Sequence, residues 1–533
     1  MRICIVGAGS AGMTMAKQIL DARKQFKQGI EFILFERRDE VGGIWQHEKD
    51  IKDPILCWEQ DDTSLLPCSK SARQKRRLRL KWQEAWPPGA MFEGLRTNIP
   101  CDLMSYRDSL FRDGTDLYPS RETVQEYLEK YADQHELRRN VKFSTTIERI
   151  IKDERSNGWS VTYNSNGGNQ QSTTEQFTHL VLAHGRCSVP NIPNIEGITT
   201  FSGRILHSAW YRDPTLLLKE GEPKRILIVG NASSGMDIAR ELSGFITRNL
   251  PCGFNPKQWL DQCQKDPFEV LSSWHSPEKP PPMDYNPLDP ESPAWCKRIK
   301  VVESIESIQG DRIHLADGSI LSDIPLIIFA TGFLFDNAFL DQTAGMLNKY
   351  PLLPPSSHPS RIGFPSASVY NLDDWFLCHS KDETLAMLGL PITVVPFPFT
   401  EIQAMYLIHR WLDKAPKLPF LDRSIPPTDE QRWRSERKDA NVNGHSDDQE
   451  VILNTTPHTF GKPSDQVYLD RLISMLQLVD KEAGKEVPWK SDYSSDGKGH
   501  GFPKGPEARF ATSPWRTERR NAGRLLRRET LGY

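Results

Sequence analysis

Two glycine-cornered loops are the residues whose types and spacing could do chemistry: Gly7-Ala8-Gly9-Ser10-Ala11-Gly12 near the start and Gly230-Asn231-Ala232-Ser233-Ser234-Gly235 in the middle. Such a loop, set between a strand and a helix, brings backbone close to a pyrophosphate and aims the helix N-terminus at its charge. Glu36 ends the next apolar run, Ile30 to Phe35. A carboxylate there accepts from ribose hydroxyls and repels a 2′-phosphate, so the first loop suits FAD or NAD rather than NADP. The run expected after the second loop, ending at Val270-Leu271-Ser272-Ser273-Trp274-His275, carries no carboxylate and tolerates a phosphorylated ribose. Two nucleotide sites in one polypeptide imply electron transfer between two bound cofactors.

The elements that must position these loops surround them. Ile3-Cys4-Ile5-Val6 predicts a buried strand, Met13 to Arg23 a helix, and Ile30 to Phe35 the next strand, a complete βαβ unit. Arg225-Ile226-Leu227-Ile228-Val229 leads into the second loop in the same way. Alternating strands and helices predict an α/β fold with two nested Rossmann-like dinucleotide-binding domains. Pro190-Asn191-Ile192-Pro193 and Ile324-Pro325 are the expected crossings. Residues 1–190 and 326–485 then form the first dinucleotide-binding domain, 191–325 the inserted second one, and 486–533 a peripheral, exposed basic extension. Arg121 to Glu136, with Val124, Tyr127, Leu128 and Tyr131 at helical spacing, predicts an amphipathic helix. Asn164 to Gln176 is expected as a hairpin tip, the proline-rich Lys279 to Pro293 as a connector or lid, and Thr428 to Asn454 as a mobile loop. The basic run Lys70 to Lys81 predicts a solvated insertion.

Composition narrows the classes. A chain of 533 residues accommodates two or three domains, and a net charge of −3 gives no electrostatic case for nucleic acid. Apolar stretches such as Ile324 to Phe335 are too short to span a bilayer, and Met1 leads directly into a strand. Neither signal peptide nor membrane anchor is expected, and the expected location is cytoplasmic. Nine cysteines without a CxxC pair predict reduced thiols and disfavour a disulfide reductase. With no HExxH and no Cys/His cluster, no metal is expected.

Between the loops lies Phe201-Ser202-Gly203-Arg204-Ile205-Leu206-His207-Ser208-Ala209-Trp210-Tyr211, which fits FxGxxxHxxxY. It resembles the fingerprint of the flavin-containing monooxygenases, class B flavoprotein monooxygenases. The resemblance extends to Phe35-Glu36 with Gly42-Gly43-Ile44-Trp45, to Leu95-Arg96-Thr97-Asn98-Ile99-Pro100 with Met104, to Phe329-Ala330-Thr331-Gly332-Phe333, and to Pro396-Phe397 with Glu401 and Gln403. It covers roughly residues 1–480 and points to a soluble fungal or microbial member.

The resemblance implies FAD in the first site and NADPH in the second. Reduced flavin and O2 would give a C4a-hydroperoxyflavin, shielded by bound NADP⁺, whose distal oxygen passes to a nucleophilic nitrogen or sulfur of a small-molecule substrate. Gly7, Gly9, Ser10, Ala11, Gly12, Glu36, Ile44 and Trp45 are then the expected FAD contacts, with Ile147 near the adenine. Gly230, Ala232, Ser233, Ser234, Gly235 and Asp237 are the expected NADP contacts. Thr97-Asn98 matches the family's Ser/Thr-Asn pair where flavin and nicotinamide meet, which makes Asn98 the expected catalytic residue. His207 is expected to be structural. A homo-oligomer is compatible with this reading.

Three departures stand out. His184, in Ala183-His184-Gly185, replaces a small hydroxyl residue, Ala232 replaces the middle glycine, and Trp274-His275 stands where the family often has a serine and an arginine for the 2′-phosphate. A Baeyer-Villiger oxygenase acting on a ketone is the alternative. Tyr211 in place of an aligned tryptophan disfavours it, though Trp210 is adjacent. A non-enzymatic nucleotide binder is the remaining reading, if the departures disable the second site. The substrate surface is expected to come from Lys49 to Gly89 and Phe245 to Pro293.

Overall fold

The computed structural model describes residues 1–48, 51, 57–60, 78–81, 88–165, 172–187, 189–193, 195–217, 224–247, 255–279, 281, 284–353, 368–392, 394–418, 465–482 and 514–532. Residues 70–77 of the basic run and the stretch Thr428 to Asn454 lie outside the described residues.

Uninterrupted apolar runs become strands covered on both faces, the setting that parallel sheets require. The larger sheet has the order β20 (Cys378–His379), β21 (Asp382–Met387), β9 (His179–Leu182), β1 (Arg2–Val6), β2 (Glu31–Phe35), β5 (Val141–Lys142). From β21 to β5 every pair is parallel, with Cys4 of β1 opposite Ile33 on one side and Leu180 on the other. The second sheet is wholly parallel in the order β11 (Arg204–His207), β18 (Leu326–Phe329), β12 (Arg225–Val229), β13 (Glu269–Ser273), β14 (Ile299–Val302). The central strand of each sheet leads into a glycine loop and then a helix, α1 (Ser10–Phe26) after β1 and α4 (Ser233–Leu242) after β12. In both sheets a later strand, β9 or β18, flanks the central strand on the side away from β2 or β13.

The smaller pieces cover these sheets. Strands β6 (Thr145–Asp153), β7 (Gly158–Ser165) and β8 (Thr173–Phe177) form an antiparallel meander, as do β15 (Ile305–Gln309), β16 (Arg312–Leu315) and β17 (Ile320–Leu321). Strand β3 (Cys57–Gln60) pairs with β4 (Leu78–Lys81). Helix α1 is buried on two sides, between its sheet and α7 (Pro396–Trp411), which is why Thr14 and Gln18 are buried along with Met13, Ala16 and Ile19. Short α2 (Cys101–Met104) follows Pro100, and α3 (Arg121–Gln134) starts where the Ser120 hydroxyl accepts from the Thr123 N–H at 3.4 Å. Helix α5 (Pro256–Lys265) opens with a capping box between Asn255 and Gln258, and α6 (Gly345–Lys349) precedes the return to the larger sheet. The helix Asp465–Glu482 packs on α7, and two more helices, Pro514–Asn521 and Gly523–Leu531, end the described chain. Among the described residues no helix is long and apolar enough to cross a membrane. The six described cysteine side chains, Cys4, Cys101, Cys187, Cys263, Cys296 and Cys378, are free.

Two expectations need correction. The exit from the inserted unit lies later than Ile324-Pro325, because Leu326–Phe329 is β18, wedged between β11 and β12. The crossing itself is the antiparallel pair β10 (Val189–Pro190) and β19 (Phe333–Leu334). Pro325 was a misleading boundary: its carbonyl accepts from the Arg204 N–H at 2.8 Å and so starts the β11–β18 pairing. Nor are residues 514–532 an exposed tail, since Arg527 is 2% exposed and paired to the body of the protein.

Candidate active site

The two glycine loops repeat one geometry. Gly7 and Gly230 lie at φ +101° and +108°, where a side chain is strained, and a Cβ would fall 2.8 Å from the Ala183 carbonyl oxygen or 2.6 Å from that of Ala330. A Cβ on Gly12 or Gly235 would overlap the carbonyl oxygen of Gly7 or Gly230, so each helix is seated directly on its own loop. The Ncap residues are Gly9 and Ala232, neither of which supplies a side-chain cap. Free N–H groups and the positive end of the helix dipole thus meet at a backbone cradle in both places, the arrangement that receives a pyrophosphate. Ala232 is accommodated with extended backbone at φ −82° and ψ −172°.

Around the first loop, Glu36 is 5% exposed at the end of β2 and accepts from the Ala8 N–H at 2.8 Å and the Arg38 N–H at 3.0 Å. Its carboxylate therefore orders the loop itself. The Gly42 N–H donates to the Ala8 carbonyl at 3.1 Å, which folds Gly43, Ile44 and Trp45 back beside Gly9. Ile44 is exposed, while half-buried Trp45 lies edge-on to Phe397 with ring centroids 6.4 Å apart. The Tyr106 hydroxyl donates to the Ser10 carbonyl at 2.7 Å, and its ring stacks on Phe397 and Tyr131. Ile147 is buried in β6 beside a register shift. His184 is half-buried with its ring edge-on to Phe339 and both ring nitrogens covered, and this desolvation pushes its imidazole down to about 4 despite the opposing pull of Asn337. It is neutral and fills space where Thr331 stands in the second unit.

The second loop meets the first unit at Asn98. Exposed Asn98 donates from Nδ2 to Oγ of Ser233, the first residue of α4, at 3.4 Å. Neighbouring Thr97 is buried, and its hydroxyl has no partner among the described residues. Asp237, one turn into α4 and 5% exposed, has its Oδ1 2.9 Å from Arg240 Nη1 and 3.6 Å from Arg527 Nη2. His275 is exposed just past β13, whereas Trp274 is buried with its indole donating to Ser272 Oγ at 2.7 Å.

The FxGxxxHxxxY segment proves to be a brace. Gly203 is pressed between the Phe201 ring and the Ile324 carbonyl, leaving no room for a side chain. His207, fully buried, shares a 2.8 Å hydrogen bond through Nε2 with the Gly332 carbonyl, and its Nδ1 accepts from the Ala209 N–H at 3.2 Å. This pattern requires the neutral ring, and burial pushes its pKa down to about 4. Tyr211 donates at 2.6 Å to buried Glu241 on α4, whose carboxyl burial raises to about 7. The histidine holds the crossing and the tyrosine holds α4; the histidine's expected structural part agrees with these contacts.

Sequence reasoning missed Arg527, Asp284 and the buried set His47, Glu93 and Arg121, in which Arg121 Nη2 is 3.0 Å from Glu93 Oε2. Only Arg527 left a trace, in the helical spacing of Arg516, Arg520, Arg524 and Arg528 around it. The others are scattered residues with no local pattern.

Comparison with known proteins agrees with this architecture. A family model described as flavin-binding monooxygenase-like matches residues 83–253, and one described as an NAD(P)-binding Rossmann-like domain matches residues 5–59. The thiol-specific monooxygenase of Saccharomyces cerevisiae is 24% identical over 90% of this chain and 92% of its own length. The trimethylamine monooxygenase of a Pelagibacter species is 22% identical over 80% of this chain and 82% of its own. Among solved structures, the S-allyl-L-cysteine S-oxygenase of Allium sativum has a TM-score of 0.60 at 17% identity, covering 100% of this chain and 95% of that one. That likeness is one of fold. The matched family models and relatives support a flavin-containing monooxygenase-like protein, an oxidoreductase with a flavin site and a nicotinamide-nucleotide site.

Proposed function

We propose that this enzyme holds FAD at the Gly7–Gly12 loop and NADPH at the Gly230–Gly235 loop, and inserts one oxygen atom of O2 at a nucleophilic nitrogen or sulfur of a small molecule. The observation that carries the reading is the 3.4 Å contact of Asn98 with Ser233, which brings the edge of the first site to the N-terminus of the second site's helix. Bound flavin, reduced by the nicotinamide, supplies oxygen activation and transfer. The chain's part is to bind, orient and exclude water. Gly7, Gly9, Ser10, Ala11 and Gly12 offer backbone to the pyrophosphate of FAD, and Glu36 its second lone pairs to ribose. Ile44 and Trp45 close the apolar sides, and the Ile147 backbone meets the adenine. Gly230, Ala232, Ser233, Ser234 and Gly235 do the same for NADPH, with Asp237 supporting the helix through Arg240. Asn98 can donate and accept at once, which suits it to bridge flavin edge and nicotinamide.

The test is consumption of NADPH and O2 by the purified flavoprotein with amines, thiols and ketones, with products identified by mass spectrometry. Oxygenated amine or thiol supports the reading, and ester formation from ketones alone moves it to Baeyer-Villiger chemistry. In Asn98→Ala, FAD content and NADPH oxidation should persist while hydrogen peroxide replaces most of the product. Wild-type yield in that variant would remove Asn98 from the reacting centre.

A further inference from the structure

The C-terminal helices Pro514–Asn521 and Gly523–Leu531 grip the segment that carries Asn98. Arg516 Nη2 donates to the Leu103 carbonyl at 2.8 Å, Arg519 Nε lies 2.9 Å from Asp102 Oδ2, and the Tyr118 hydroxyl donates to the Gly523 carbonyl at 3.0 Å. Arg527 goes deepest. Its Nε donates to the Thr97 carbonyl at 3.1 Å, its Nη1 pairs with Asp284 at 2.7 Å, and its Nη2 lies 3.6 Å from Asp237.

These partners belong to different parts of the fold. Thr97 precedes Asn98 on the loop from the first unit, Asp237 is on α4, and Asp284 is in the connector after β13. Ser233 and Asp237 are four residues apart and therefore share a face of α4. The same loop and the same helix face are thus tied twice, once at the surface by Asn98 to Ser233 and once in the interior by Arg527 between Thr97 and Asp237. A guanidinium is suited to this because its donors lie in a rigid plane and can serve several acceptors at once. Burial at 2% exposure means that it is retained only with those acceptors in place.

We propose that the C-terminal helical pair is a latch, and that Arg527 is a positioning residue setting the gap between the Thr97–Asn98 loop and α4. The effect on nucleotide binding rests on the functional reading above; the latch itself does not. With the gap set, a nicotinamide nucleotide on α4 lies at a defined distance from the first site. With the latch released, the loop moves away from α4, the nucleotide binds less tightly, and reducing equivalents leak to O2.

The test uses full-length protein carrying Arg527→Gln, Arg527→Lys, and the charge-balanced double variant Arg527→Gln with Asp284→Asn. The double variant guards against collapse from an unpaired buried carboxylate. Hydrogen exchange read by mass spectrometry should rise several-fold in peptides spanning 96–105 and 523–532, with β1 and β2 peptides unchanged. The dissociation constant for NADP⁺ should rise about tenfold with FAD content unchanged, and lysine should recover part of both effects. A folded double variant with wild-type exchange at 96–105 overturns the latch. If the wild type binds no NADP⁺, the functional reading fails while the exchange arm still decides the latch. If exchange rises but NADP⁺ affinity does not, the latch stands without its positioning role.

Discussion

At the scale of single residues, buried polar groups set the terms for both ligand binding and stability. Glu36 serves two backbone N–H groups and, in the proposed role, a ribose as well. Glu36→Gln keeps one acceptor oxygen and turns the other into a donor facing an N–H group. The expected loss of FAD affinity is about 1–3 kcal/mol, or about 10- to 100-fold, measured by flavin retention on dilution. Undiminished retention would leave Glu36 as a loop-ordering residue alone. His207 offers a test through pH. Its folded-state pKa of about 4 lies below the usual 6.5, so between these values the unfolded chain binds a proton that the folded chain does not. Stability from the neutral ring is complete above about pH 6.5 and is lost as pH falls toward 4. Glu241 and Glu401, raised to about 7 by burial, act in the opposite sense over much of that window, so total stability is a poor readout. The difference between wild type and His207→Gln is the useful one. In denaturant unfolding, the wild-type advantage should shrink by up to about 1.4 kcal/mol per pH unit below 6.5. A difference independent of pH would mean that His207 is not held neutral.

At the scale of elements, the two strand–loop–helix units can be separated by mutation. Gly235→Ala drives a methyl group into the Gly230 carbonyl and must lift α4 off its loop, while β1, α1 and Glu36 are untouched. The variant should purify with full FAD content and a KM for NADPH raised at least tenfold; Gly12→Ala should instead lose flavin. Equal loss of both cofactors in both variants would mean that the units do not bind independently. These units were legible in sequence because their chemistry is local: an apolar run, glycines at set spacing, then a helix. The amphipathic pattern from Arg121 is α3 for the same reason, and β7 pairs antiparallel with β8 on either side of the predicted hairpin tip, whose residues 166–171 lie outside the described residues. The exit crossing was misplaced because a proline before an apolar run reads equally as a linker or as the start of a strand. Only partner strands β11 and β12 decide between them. The latch was illegible because an arginine-rich helix looks solvated until carboxylates from distant segments, Asp102, Asp237 and Asp284, are brought beneath it.

At the scale of the whole molecule, the two units are the same device used twice, joined where β10 crosses β19, and the function proposed depends on how firmly they are held. The crossing is tied reciprocally. The Asn191 N–H donates to the Gly332 carbonyl at 2.9 Å, Asn191 Nδ2 donates to the Thr331 carbonyl at 3.2 Å, and the Thr331 hydroxyl donates to the Asn191 carbonyl. His207 adds its bond to Gly332 from β11. Thr331→Val preserves shape and removes one donor, so its cost in stability should be only about 0.5–1.5 kcal/mol. Its cost in coupling should be larger, because a hinge that yields changes the distance between the two sites without unfolding either. We expect near-normal FAD content, a small fall in melting temperature, and a several-fold rise in hydrogen peroxide formed per NADPH oxidised. The position of the tie also predicts how variants combine. Thr331→Val and Asn98→Ala act on the same gap from opposite ends and should be non-additive in peroxide yield, whereas Thr331→Val and Glu36→Gln, which touch different parts, should add. Full coupling in Thr331→Val, with the expected loss of stability, would make the crossing a connector only and leave Asn98 and the C-terminal latch to hold the units together.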